Sequence, residues 1–335
     1  TPNDGEAIAW GVSASSGIID LQGDVVVTTS ATSSTDSMAK NYALDATNGT
    51  ININQAGGKK VQLTGDVGFD STGTAGKINV NFDTSDSFLK GLVNNTGTGT
   101  EANLTFSNGA PWSPTGDGAI TSNFGTDGTG LILDTGGILD MAAWNLNSAR
   151  VNESNAYRAL TISGKADLKD GAVFRINTDV VGGHSDTIAF TTAPAVAGTQ
   201  YIQIGYDPGI AAQLDAGATT LTSGTPLTVL TGVTGATLAG KASQIDGALF
   251  RHDLTPTISD DGSGNFSLAS IESLNTSSTT PRALSEAPRT AIDAQQSSQN
   301  AWMNQGNHMI RRLGDLRLEN DDAKNGIWAR VYTGS

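Results

Sequence analysis

Hydrolysis by an activated nucleophile needs a hydroxyl or thiol beside a base, and this chain offers an imidazole base at only three positions, His184, His252 and His308. Cysteine is absent, which excludes thiol nucleophiles, disulfides and thiolate metal sites together. No G-x-S-x-G elbow occurs. Ser263, in "DGSGN", falls in a turn between two strand-like runs, where a strand-to-helix elbow is required. His252 alternates with Phe250 and Leu254, a spacing that packs it on one strand face rather than freeing it as a base. "GTAGK", Gly73 to Lys77, is not a phosphate loop, because Ser71 stands where the first glycine is needed and a strand follows where a helix is required. Asp260, Asp261 and Asn265 match neither the EF-hand loop nor the nonapeptide calcium repeat, and read as a solvated turn. The expectation is a chain without catalytic, cofactor-binding or metal-ligating residues, and not an enzyme in the ordinary sense.

The elements around these residues are strands. Of 335 residues 41 are glycine, only 16% are charged and 6% aromatic, which is too little Ala, Leu, Glu and Lys for a helical bundle. Glycine follows no three-residue period, so collagen is excluded as well. A net charge of -14 argues against nucleic acid as a partner. No apolar run is long enough for a transmembrane helix, and the start at Thr1 lacks a signal pattern; an exported form has its leader removed or left out. Runs such as Gly17 to Thr29, Thr50 to Asn54, Lys60 to Thr64, Lys77 to Phe82, Asn103 to Phe106 and Gly130 to Leu133 alternate apolar and polar residues or are β-branched. Turn pairs separate them, among them Asn48-Gly49, Asp117-Gly118, Asp170-Gly171 and Asp261-Gly262. The class is all-β. A spacing of about 20 residues, small polar turns and few aromatics suit a stacked parallel solenoid, yet alternation alone fits a sandwich equally well.

A solenoid has open ends that must be closed. Residues 159–274 are expected to form that cap, with Phe250, His252 and Leu254 on one strand face, Phe266 and Leu268 on the next, and "SDDGSGN" as the hairpin loop between them. A polar linker over 275–288 leads to a helix over 289–320, in which Trp302, Met303, Met309, Ile310, Leu313 and Leu316 recur at helical spacing. Residues 326–335, "GIWARVYTGS", read as one strand of a sheet that lies beyond Ser335.

Two stretches carry a family resemblance. "LTISGKADLKDGAVFRINTDVVGGHSDTIAF" and "IDGALFRHDLTPTISDDGSGNFSLASIES" resemble the C-terminal autochaperone region of pertactin-like autotransporter passengers. "NHMIRRLGDLRLENDDAKNGIWARVY" resembles the pore helix and first barrel strand of the same family, with "RRLGDLR" and "GIWARV" the most specific elements. The resemblance implies type V secretion, a right-handed parallel β-helix over 1–158, an autochaperone cap over 159–274, a pore-threading helix, and a truncated outer-membrane β-barrel. It implies a passenger exposed on the surface of a Gram-negative bacterium, acting as an adhesin or a self-associating protein, virulence included. Partners so implied are the barrel of the same polypeptide, the outer-membrane assembly machinery, and a host surface or another copy of the chain. The alternative is the shaft of a larger secreted protease or esterase whose catalytic part lies upstream. In self-cleaving relatives two adjacent asparagines precede the "RRLGDLR"-like element. Here the aligned junction is Asn307-His308, where only the first position matches.

Overall fold

The computed structural model describes residues 7–30, 39–69, 74–143, 157–207, 209–248, 250–274 and 283–318. The chain divides into two units, Thr1–Ala283 and Leu284–Ser335. The first is a parallel β-helix: each of its first seven coils lends one strand to each of three sheets, which enclose a single continuous core. The first coil is β1 (Ala7–Ala14), β2 (Ile18–Leu21) and β3 (Val25–Thr28), and the second is β4 (Ala39–Ala46), β5 (Thr50–Ile53) and β6 (Val61–Thr64). Then follow β7 (Asp66–Gly68), β8 (Lys77–Phe82) and β9 (Phe88–Lys90), and after them β10 (Val93–Asn94), β11 (Glu101–Phe106) and β12 (Pro111–Ser113). β1, β4, β7 and β10 open one sheet, β2, β5, β8 and β11 the second, β3, β6, β9 and β12 the third, all in parallel.

Period-two alternation decides which side chains face inward. In β8, Ile78, Val80 and Phe82 are buried while Lys77, Asn79 and Asn81 face out. Parallel register then sets like on like: Ile51, Ile78 and Ala102 align, as do Ile53, Val80 and Leu104. Phe82 stacks on Phe106 at 4.5 Å with rings 2° from parallel. The row continues through Trp112, 6.4 Å from Phe106, to Phe124, which meets Trp112 edge-on at 5.3 Å. Trp112 also donates its indole N–H to the Gly91 carbonyl at 3.0 Å. Aromatic side chains thus form a row inside the shaft.

Coil length also differs from the expected 20 residues. It is 27 between Asn52 and Asn79, 24 between Asn79 and Asn103 and 35 between Asp140 and Arg175, and reaches 42 between Ile188 and Leu230. Gly17 to Thr29 is two strands and not one, β2 and β3, because the corner over Gln22–Asp24 turns the chain from one sheet to the next.

Outside the shaft the same register builds a polar ladder. The Asn79 amide donates to Asn52 Oδ1 at 2.8 Å, and the Asn103 amide donates to Asn79 Oδ1 at 2.7 Å. Replacing Asn79 by Ala removes two side-chain bonds and strands a donor and an acceptor on its neighbours. A loss of about 1–2 kcal/mol is expected, read as a lower denaturant midpoint at unchanged slope.

After β13 (Ala119–Asn123), β14 (Leu131–Leu133) and β15 (Ile138–Asp140), parallel stacking runs on through β16 (Ala159–Ser163), β17 (Ala166–Leu168) and β18 (Val173–Asp179). Past the short β19 (His184–Ser185), it continues in β20 (Thr187–Phe190), β21 (Ala195–Val196) and β22 (Thr199–Tyr206) and, past the two-residue β23 (Thr220–Leu221), in β24 (Leu227–Thr231) and β25 (Thr237–Lys241). Residues 159–274 therefore comprise further coils and, beyond Lys241, strands of opposite direction.

The second unit contains one described element, the helix α2 (Glu286–Leu318) of 33 residues. Pro288 lies in its first turn, where a missing N–H costs nothing, and Glu286 lies at the positive end of the helix dipole. Trp302 is 80% exposed, and Ile292, Met303, Met309 and Ile310 are exposed too. Among the described residues no helix is long and apolar enough to cross a membrane. The strand expected over 326–335 lies outside the described residues.

Candidate functional site: the terminal cap and its buried polar node

At the end of the stack the chain reverses. β28 (Phe266–Ser273) runs antiparallel to β24, β27 (Arg251–Asp260) antiparallel to β28, and β26 (Ser243–Asp246) antiparallel to β27. Leu254, Phe266, Leu268 and Ile271 are buried to 2% exposure or less and belong to the same core as the coils. Phe250 is half-buried, and His252 is buried at 1%. Two glycines let the hairpin turn tighten: Gly262 has φ of +77°, and at Gly264, with φ of +83°, a Cβ would lie 2.8 Å from the Thr234 backbone nitrogen.

That turn closes on its own acidic residues. Asp260 accepts from the Gly262 N–H at 2.8 Å. Asp261 accepts from the Ser263 N–H at 2.7 Å and from the Asn265 amide at 2.8 Å, and these bonds hold its carboxyl below the usual carboxylate range. Among the described residues, no group of three or more acidic or histidine side chains is placed to hold a metal ion. Lys77, from the loop-like "GTAGK", lies in β8 and pairs with Glu101 on the next coil at 2.6 Å.

His252 is bound from the opposite side. The short helix α1 (Ile210–Asp215) brings Asp215 Oδ1 to 2.8 Å from His252 Nε2, and Asp215 Oδ2 accepts the Ala248 N–H at 2.8 Å. Gly247 fits between them: a Cβ there would approach Asp215 Oδ1 to 2.6 Å and His252 Nε2 to 2.9 Å. The Asp215–His252 contact, partly open to solvent on the aspartate side, links α1 to the cap. His184, the second histidine, stacks on Tyr157 at 5.8 Å between ring centroids.

Beneath the cap lies a polar node that sequence reasoning missed. Arg158 is 3% exposed, and its guanidinium donates to the carbonyls of Pro114 at 2.8 Å, Gly116 at 3.4 Å, and Met141. Asp186, fully buried, accepts the Arg158 N–H at 2.8 Å on one oxygen and the Asn177 N–H at 2.9 Å on the other. Asp207 accepts from Thr178 Oγ1 at 2.7 Å, from Val180 N–H at 2.9 Å, and from the Gly209 and Ile210 N–H groups that begin α1. Asp140 pairs with Arg175 at 2.9 Å. These contacts join residues up to 44 apart, so no local pattern announces them. The only signal is a charged or amide residue at the end of a strand-like run, as in "NTD" and "HSD".

Burial pushes the Asp186 carboxyl up to about 6 against two backbone hydrogen bonds and the nearby Arg158 charge, and pushes Asp207 up as well. In the unfolded chain Asp186 titrates near 3.8, the ordinary value of an aspartate. Between those values the folded state holds the proton more tightly, so the contribution of Asp186 to stability is fully present below about pH 4 and is lost as pH rises through about 6. Unfolding midpoints measured from pH 4 to 7.5 are expected to decline across that window, and Asp186→Asn is expected to flatten the decline.

Asn307 and His308 both sit within α2 with exposed side chains. They belong to the second unit, and the cap residues to the first. No protein-family model matches the chain, and no curated protein matches it.

Proposed function

We propose that the chain is the C-terminal part of a pertactin-like autotransporter passenger, whose shaft stands on the surface of a Gram-negative cell and acts in adhesion or self-association. The observation that carries the reading is an order of parts: a parallel coil stack, an antiparallel lid at its C-terminal end, then a long helix bearing "RRLGDLR". A folding sequence follows from that order. The hairpin of β27 and β28 closes over a five-residue loop, so it forms at small entropic cost and offers an edge to the coil before it. Each further coil repeats the step, and a folded stack cannot slide back through a narrow pore. In this reading the cap nucleates folding outside the cell, and α2 threads the pore of an outer-membrane barrel.

The test is display. Fused to an export signal and an outer-membrane β-barrel in a Gram-negative host, the chain is expected to appear on the cell surface in a protease-resistant form and to raise cell aggregation or attachment to host cells. Phe266→Asp with Leu268→Asp is expected to abolish the resistant form. Retention of the unaltered chain in the periplasm, or display of the double variant in resistant form, refutes the proposal. Display without aggregation or attachment refutes the adhesive role alone.

A further inference from the structure

Seven Asn-Gly or Asp-Gly pairs lie among the described residues. In such a pair the glycine amide nitrogen can reach the preceding side-chain carbonyl carbon, because no Cβ on the glycine stands in the way. Whether it does so depends on how that N–H and that side chain are held. In Asn48-Gly49, Asn108-Gly109 and Asp170-Gly171 the glycine N–H donates to a carbonyl one coil away, Ala14 at 3.2 Å, Gly136 at 3.0 Å and Thr199 at 2.8 Å. In Asp246-Gly247 and Asp261-Gly262 it closes a turn of the cap, on the Phe250 carbonyl and on an Asp260 carboxylate oxygen, each at 2.8 Å. Side chains are held as well: Asp170 accepts the Thr199 N–H at 2.8 Å, and Asn108 donates to the Asp83 carbonyl at 3.1 Å. Asp117 lies within electrostatic reach of the buried Arg158 guanidinium, and swinging its carboxylate onto Gly118 gives up that attraction. Asp127-Gly128 differs. It occupies the corner between β13 and β14, which is anchored on either side. Gly125 donates to Asn123 Oδ1 at 2.9 Å and accepts the Lys165 N–H at 2.9 Å, and the Thr129 N–H donates to Asn103 Oδ1 at 2.6 Å. Between those anchors the backbone N–H groups of Thr126, Asp127 and Gly128 have no hydrogen-bond partner among the described residues, and neither has the exposed Asp127 carboxylate.

We propose that Asp127-Gly128 is a site of spontaneous modification, where the shaft forms isoaspartate without an enzyme. The Gly128 nitrogen bonds to Asp127 Cγ, the amide proton and the carboxyl hydroxyl leave as water, and a five-membered imide closes. Water then opens the ring. Cleavage of the new Cγ–N bond restores aspartate. Cleavage of the Asp127 backbone C–N bond instead leaves the chain running through Cγ, longer by one carbon. The extra carbon matters here because the corner rests on the asparagine ladder. A Cβ at Gly128 would lie 2.3 Å from Asn103 Oδ1, so the corner has no spare room on that side. Asn103 Oδ1 accepts from both the Thr129 N–H and, at 3.0 Å, the Thr129 hydroxyl, while the Asn103 amide continues the ladder to Asn79. A lengthened backbone pushes Thr129 off Asn103 and frays the ladder at that end. The inference rests on the hydrogen bonding of this corner and depends on neither the route of export nor adhesion.

The test is ageing read site by site. The folded full chain is kept for several weeks at body temperature and mildly acidic pH, where more of each exposed carboxyl carries the hydroxyl that must leave. Peptide mapping with electron-transfer fragmentation then separates isoaspartate from aspartate. Isoaspartate at Asp127 is expected to exceed that at Asp170, Asp246 and Asp261 by about tenfold or more, since each hydrogen bond that must first open slows ring closure by that order. Asn48 and Asn108 are expected to keep their amides. In concentrated urea those bonds are gone, and the preference for Asp127 over the other aspartates is expected to vanish. Asp127→Glu, which would have to close a six-membered ring, is expected to remove the product, and circular dichroism checks that it keeps the fold. The aged chain is expected to melt at a lower temperature than the fresh one, and the aged Asp127→Glu chain is not. No isoaspartate at Asp127, equal amounts at Asp117 or at the bound pairs, or a preference for Asp127 that persists in urea overturns the proposal. Isoaspartate at Asp127 with an unchanged melting temperature overturns its effect on the ladder.

Discussion

Phe266→Asp with Leu268→Asp is expected to unfold the cap of the purified protein and to lower the stability of the coils behind it. Both side chains are at most 2% exposed and lie in one core with Leu227 and Leu230 of β24. Each substitution forfeits roughly 1.5–3 kcal/mol of apolar burial. Each also places in that core a carboxylate that must either pay for desolvation or take up a proton. Together the cost exceeds about 5 kcal/mol, a large part of the stability of an ordinary domain. Because each coil rests mainly on its neighbours, the damage is expected to spread from this end. Limited proteolysis should cut first within residues 243–274 and then trim successive coils, while the Phe82–Phe106 region survives longest. Ser267→Asp with Ala269→Asp is the control: the same strand and the same charges, on side chains only half-buried. It is expected to change stability far less. Equal protease resistance of the core double variant and the unaltered chain would show that the stack needs no lid.

Strand identity was legible because alternation depends only on the pleat, a local property. "KINVNF" announces its inward and outward faces without reference to any other coil, and Lys77–Phe82 is a strand as read. The hairpin of Arg251–Asp260 and Phe266–Ser273 was legible for the same reason, since its turn chemistry lies between its own strands. Which residues stack on which was not legible, because that depends on coil length. Phe82 and Phe106 lie side by side only once the coil between them is known to be 24 residues. The change from 24 residues to 35 falls between the described strands, in sequence that obeys no period. An assumed 20-residue repeat misaligns every rung and hides both the asparagine ladder and the aromatic row. The polar node is harder still, since Arg158 and Asp186 meet across 28 residues and a coil boundary.

Arg158→Met is expected to cost about 3–5 kcal/mol, the range seen when one partner of a buried charge is removed. The methionine fills much of the same space, so the loss is one of hydrogen bonds and charge more than of packing. The carbonyls of Pro114, Gly116 and Met141 lose the guanidinium that gathers them, and Asp186 loses its nearby countercharge. Arg158→Lys keeps the charge but replaces a planar fork by a single ammonium, and is expected to cost less. The pH dependence separates the two contributions. Without Arg158 the Asp186 carboxyl is pushed higher still, so the folded variant sheds its proton later and loses more stability as pH rises. The gap between Arg158→Met and the unaltered chain should therefore be widest near pH 7.5. It should narrow toward pH 4, where Asp186 is neutral in both and only the stranded carbonyls remain. Adding Asp186→Asn to Arg158→Met removes the orphaned charge and should recover part of the loss at pH 7.5, with little gain at pH 4. A gap that stays constant with pH would mean that Arg158 holds the coils through its carbonyl bonds alone and that its charge does not act on Asp186.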